Sequence, residues 1–192
     1  MAFSNYNQNN NNGQSGEQKK TNFKLGRVYG SNGRLDLTVW LADTGVRMTL
    51  MITQVAGTDP SNGKPMFEQR KPSELPRFYL NASHMRALID VFEECKGNYS
   101  NLNIVIDKGQ NGGKFTITSN GSNVEMSITG TKQGDRSITL ESVSVGPVNK
   151  ASNLEVFIDL LKIAYKKALI QKLDPDEFSF VAGNGSDEDA PF

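Results

Sequence analysis

Two neighbouring stretches, Asp36–Ala42 and Arg47–Thr53, alternate strictly between apolar and polar residues and are separated by Asp43-Thr44-Gly45. In the first, Leu37, Val39 and Leu41 fall on one side, with Asp36, Thr38 and Trp40 on the other; in the second, Met48, Leu50 and Ile52 fall together. Successive side chains of a strand point to opposite faces, and a short turn rich in Asp and Gly joins antiparallel strands. The segment is therefore a β-hairpin with one buried and one solvated face, and the rest of the chain must supply the cover for its aliphatic side.

The flanking sequence repeats the theme. Phe23–Tyr29 reads as a strand before a Gly30-Ser31-Asn32-Gly33 turn, residues 56–75 as a Gly/Pro/Ser/Lys-rich long loop or hairpin, and Arg77–Leu80 as a short strand. A helix follows, capped by Asn81 or Ser83, with Met85, Leu88, Ile89 and Phe92 as its apolar stripe and Gly97 to end it. Four more strand candidates come next: Leu102–Asp107, Lys114–Thr118, Val124–Ile128 and Ser137–Leu140. A second helix spans Asn153–Leu173, opened by a Ser152/Glu155 capping box, lined by Leu154, Phe157, Leu160, Leu161, Ala164 and Ala168, and stopped by Pro175. The expected class is α+β: two ββββα units with antiparallel sheets.

The chain of 192 residues has one Cys and one His. Cys95 alone rules out a disulfide framework and a multi-thiolate metal site, and is expected to pack as a small hydrophobe. His84 alone leaves little for a zinc or general-base site, and is expected at the surface or helping the helix cap. There is no phosphate-cradling loop, because Gly109–Gly113 has no helix start behind it. No apolar run approaches the ~20 residues of a membrane span. A non-enzymatic cytoplasmic protein without a cofactor, metal or membrane partner is the expectation.

The formal net charge of zero conceals a segregation. Residues 174–192 hold six acids and no Lys or Arg, which leaves residues 1–173 at +6. Residues 19–86 alone carry 11 basic and 5 acidic groups. Three segments follow: an Asn/Gln-rich N-terminus over 1–18, expected to be disordered; a body over 19–173, dividing into halves 19–97 and 98–173; and an acidic tail over 174–192.

Within the basic part, aromatic rings are interleaved with cations: Lys24, Arg27, Tyr29, Arg34, Trp40, Arg47, Lys64, Phe67, Arg70, Lys71, Arg77 and Tyr79. Trp40 and Arg47 fall on the polar faces of their strands, Arg27 shares a face with Tyr29, and Arg77 shares one with Tyr79. A cationic path with flat rings is what sequence-tolerant binding of single-stranded DNA requires.

The chain ends Asp187-Glu188-Asp189-Ala190-Pro191-Phe192. This resembles the acidic tip of bacterial single-stranded DNA-binding proteins. The resemblance implies a tip that recruits enzymes of replication, recombination or repair: the Phe ring enters an apolar pocket, its terminal carboxylate meets a cation, and the acids engage a basic rim. The ββββα element order over residues 20–173 resembles the Whirly family of single-stranded DNA-binding proteins. A single unit is similar to the DNA-binding domain of a dimeric eukaryotic transcriptional coactivator, most closely over Phe78–Leu88. The structural alternative is an oligonucleotide-binding barrel with an extra C-terminal helix. A coating protein of bacterial or phage origin that self-associates is the leading expectation. A phage structural or assembly protein and an RNA-binding regulator are the alternatives.

Overall fold

The computed structural model describes residues 22–42, 45–109, 112–142 and 151–173. The opening hairpin is formed by β2 (Gly33–Ala42) and β3 (Gly45–Thr58), whose register runs from Gly33↔Gln54 to Ala42↔Gly45. Before it lies β1 (Asn22–Tyr29), paired antiparallel with β2. After it come β4 (Pro65–Phe67), a turn of 3-10 helix at Pro72–Glu74, β5 (Arg77–Leu80) and α1 (Ala82–Glu94). The second half holds β6 (Asn103–Asp107), β7 (Lys114–Asn120), β8 (Asn123–Thr129), β9 (Arg136–Glu141) and α2 (Asn153–Leu173). The class is α+β, with two antiparallel sheets and two helices.

The first sheet runs β1-β2-β3, with both β4 and β5 paired to β3; the second is the meander β6-β7-β8-β9. Five strands therefore precede α1, where the sequence pattern gave four. The added strand comes from residues 56–75: β3 continues to Thr58 and folds back through β4, with Thr58 opposite Pro65 and Val55 opposite Phe67. This arm is exposed along Ala56, Thr58, Pro65 and Met66. Pairing without a buried side leaves no alternation to read.

Both helices are built as their patterns require. Asn81 caps α1, its side chain accepting from the His84 amide at 2.9 Å, and Met85, Leu88, Ile89 and Phe92 are buried. The capping box of α2 is closed by Glu155 N–H to Ser152 Oγ at 3.2 Å and Ser152 N–H to Glu155 Oε2 at 2.6 Å. Among the described residues, no helix is long and apolar enough to cross a membrane.

One core joins both halves. Inward residues of the first sheet (Leu35, Leu37, Val39, Met48, Leu50, Ile52) meet those of the second (Ile117, Met126, Ile128, Ile138, Leu140). The Phe78 and Phe115 rings stack between the sheets at 5.6 Å, and Phe92 of α1 meets Phe157 of α2 edge-on at 6.2 Å. The second helix packs on β1, β3 and β9 as well as on α1, so the C-terminal element covers the N-terminal sheet. Gly26 permits this approach, because a Cβ there would lie 3.0 Å from Leu160 Cδ1. Cys95 is half-buried against the same core.

Candidate nucleic-acid interface

Residues directly opposite each other in a ladder share a face of the sheet. On the outward side of the first sheet the register therefore writes successive rows: Trp40 with Arg47; Lys24 with Thr38, Thr49 and Tyr79; Arg27 with Asp36, Met51 and Arg77; Tyr29 with Arg34 and Thr53. Eight of the twelve residues singled out by aromatic and basic interleaving thus share one face. Lys24 joins them only because the register slips between Lys24 and Gly26. In an uninterrupted strand, residues three apart such as Lys24 and Arg27 would point to opposite sides; the bulge adds one residue and brings them together.

At one end of this face the Trp40 indole N–H donates to Thr49 Oγ1 at 3.0 Å. The Arg47 guanidinium lies 5.6 Å from the Trp40 ring centre, and the Tyr79 ring meets Trp40 edge-on at 5.9 Å. Lys108, which the sequence pattern did not single out, reaches this end from the second half: its ammonium donates to the Tyr79 carbonyl and sits 4.8 Å above the Phe78 ring. Burial, and then the charge of Arg47, hold the Lys108 ammonium below its ordinary pKa. No local signal marks Lys108, because the contact joins residues 29 apart in sequence, one from each half of the chain.

At the other end, Phe67 of the arm lies 6.1 Å from the Tyr29 ring and 4.9 Å beneath the Arg34 guanidinium. Between the two ends, Asp36 accepts from Arg27 Nε at 2.8 Å and from Arg34 Nε at 3.0 Å. Its carboxylate raises the Arg27 pKa above the ordinary value, chiefly through that hydrogen bond. Five cations (Lys24, Arg27, Arg34, Arg47 and Arg77) thus share the face with the Asp36 carboxylate.

The remaining nominated cations are not gathered onto the face. Lys64 is exposed at the turn of the arm, where its amide donates to Asn62 Oδ1 at 2.9 Å. Arg70 pairs with Glu68 at 3.1 Å, and Lys71 is exposed just ahead of the 3-10 turn. Arg77, although on the face, donates its Nε to the Pro72 carbonyl at 3.1 Å. His84 takes part in the α1 cap through its backbone amide but departs from the surface reading: its ring is half-buried, and among the described residues Nδ1 has no hydrogen-bond partner. Burial, and then the Lys108 charge, lower its pKa. The tip Asp187, Glu188, Asp189, Ala190, Pro191 and Phe192 lies outside the described residues, as do residues 1–18 and the rest of 174–192.

The outward face of the second sheet has a different composition. Its rows read Asn103, Thr118, Glu125 and Thr139, then Val105, Thr116, Ser127 and Ser137, with Asp107 and Lys114 paired at 3.4 Å. Among the described residues it presents chiefly hydroxyls and carboxylates, with Asn103, Val105 and the single cation Lys114, and no aromatic ring. Among the described residues no group of His, Cys, Asp or Glu is arranged to hold a metal ion. No protein-family model, curated protein or solved structure matches this chain.

Proposed function

We propose that this is a non-enzymatic protein that coats single-stranded DNA with little sequence preference during replication, recombination or repair. The observation that carries the reading is the convergence of Lys24, Arg27, Tyr29, Arg34, Trp40, Arg47, Arg77 and Tyr79 on one sheet face, while the outward face of the other sheet presents mostly Ser, Thr and acids, with Lys114 as its one cation among the described residues and no aromatic ring there. Phosphates are attracted by the cations, and bases have the indole, the phenols and the guanidinium planes on which to stack. Two separate antiparallel sheets, each followed by a helix, support a Whirly-like double unit over a single closed barrel.

Two further parts of the reading concern partners. A second copy pairs along β6: among the described residues no strand covers its outer edge, and Val105 is 54% exposed between the half-buried Ile104 and Ile106. The acidic tip, residues 187–192, recruits partner enzymes and competes with DNA for the basic face.

Titration with a poly-pyrimidine strand at low salt tests the reading. Trp40 is the single Trp of the chain, so its quenching reports binding in the native protein. The anisotropy of a labelled strand reports binding in Trp40→Ala, where about a tenfold loss is expected. Duplex DNA and RNA as competitors separate a single-strand DNA protein from an RNA regulator. Absence of affinity at low salt, together with stable high-order assembly, would identify a structural protein instead. Deleting residues 187–192 tightens DNA binding at low salt and removes partner binding; a truncation that changes neither refutes the role of the tip.

A further inference from the structure

The outward face of the first sheet carries the same three-part arrangement twice. At one end stand Trp40, Arg47 and Tyr79; at the other stand Phe67, Arg34 and Tyr29. Each consists of one ring with a guanidinium over it, at 5.6 Å in the first and 4.9 Å in the second, and one tyrosine ring beside it, at 5.9 Å and 6.1 Å. The two are built from different elements, since Phe67 belongs to the arm, and they are held at a fixed separation by β2. Trp40 and Arg34 are six residues apart on that strand, which at ~3.3 Å per residue sets them about 20 Å apart.

We infer that these are two base-stacking stations that a single DNA strand bridges, so that strand length rather than sequence sets affinity. The inference rests on the single-strand reading above and adds its geometry. A strand keeping the ~3.4 Å stacking rise covers the gap in about six nucleotides, and a more extended strand in fewer. A trinucleotide reaches one station; a decanucleotide reaches both. Once one end is held, docking the second is intramolecular, and linked sites gain ~100-fold or more over either alone. The Asp36 carboxylate lies between the stations with Arg27 and Arg34 on it, which leaves the intervening path cationic.

The test compares dT3 with dT10 on the full chain at low salt, using Trp40 quenching. The native protein is expected to bind dT10 at least about 30-fold more tightly than dT3, the excess over simple site counting coming from the second station. In Phe67→Ala, dT10 affinity falls about tenfold or more, while quenching of Trp40 by dT3 keeps its native midpoint. Tyr29→Ala, at a residue 49% exposed on β1, gives the same split with every residue of the arm itself unchanged. If dT10 binds the native protein but neither variant weakens it, the second station does not exist and the single-strand reading stands. If dT10 leaves the native protein unquenched and unbound, the single-strand reading itself fails.

Discussion

Arg136 holds Glu68 side-on: Nε donates to Oε1 and Nη2 to Oε2, both at 3.3 Å, across 68 residues of sequence. The two side chains are 14% and 15% exposed, and the pair ties the base of the arm to β9 of the second sheet. Glu68 also continues the arm's ladder, its amide donating to the Gln54 carbonyl at 3.0 Å and Oε1 accepting from the Gln54 amide at 3.1 Å. Because Phe67 precedes Glu68, this pair also sets the position of the second aromatic cluster.

Arg136→Ala is expected to destabilise the fold by about 2 kcal/mol at neutral pH, since it leaves a part-buried carboxylate without its main cation. Burial alone would raise the Glu68 pKa, but the Arg136 hydrogen bond, the Gln54 amide, and the Arg136 and Arg70 charges outweigh it and lower the value. A carboxylate with a lowered folded-state pKa contributes stability above its unfolded value of 4.5 and loses it as pH falls through the folded value. The gap between native and Arg136→Ala urea midpoints should therefore narrow below about pH 4. A gap independent of pH would show that the pair is not its source.

Gly30 is expected to tolerate no side chain. A Cβ there would lie 2.3 Å from the Thr139 carbonyl oxygen and 2.6 Å from Ile138 Cγ1. The turn cannot retreat, because Ser31 N–H donates to that carbonyl at 3.0 Å and Asn32 Oδ1 accepts from the Thr139 amide at 2.8 Å. Gly30→Ala should cost about 2 kcal/mol or more, in the range of overpacked interiors. Gly57→Ala, whose nearest neighbour would be Met66 Cε at 3.7 Å, should cost well under 1 kcal/mol. Thermal melts of the two variants give the comparison.

DNA affinity should fall linearly with the logarithm of salt concentration, with a slope near −3 if about four cations meet phosphates. Lys24→Ala should reduce that slope by about 0.7, the single-strand value for one phosphate contact. Lys71→Ala, at a site away from the face, should leave the slope unchanged. Anisotropy at several salt concentrations measures both.

Self-association should depend on β6. Antiparallel pairing of two copies centred on Val105 sets Asn103 of each against Asp107 of the other and Ile104 against Ile106. Val105→Lys places like charges at the centre of that pairing and should shift the protein to a monomer in sedimentation, without changing its melting temperature by more than about 2 °C. An unchanged oligomeric state would assign the interface elsewhere.

The elements that could be read from the sequence are those with one wet and one dry side. The β2–β3 hairpin, α1 and α2 each declare a buried stripe, and Met85, Leu88, Ile89 and Phe92 are buried as their spacing requires. Residues 56–75 could be read only as a loop or a hairpin, and the structure forms the hairpin; its strands are largely exposed, so no alternation decides between the two or fixes the register. Nor was Lys24 placed, since the bulge that turns it outward breaks the alternation from which faces are read.

Local periodicity determined the class, the helices and the faces of Trp40, Arg47, Arg77 and Tyr79, because burial on one side of an element writes itself into the order of residues. Only the tertiary structure decided which distant groups share a surface. Lys108 reaches Tyr79, Arg136 reaches Glu68, and Phe67 reaches Arg34. Each of these contacts depends on how sheets and arm pack, and on a shared core in which α2 covers the sheet formed at the other end of the chain. That geometry leaves no period in the sequence, since each contact joins single residues of different elements rather than a repeating face of one element.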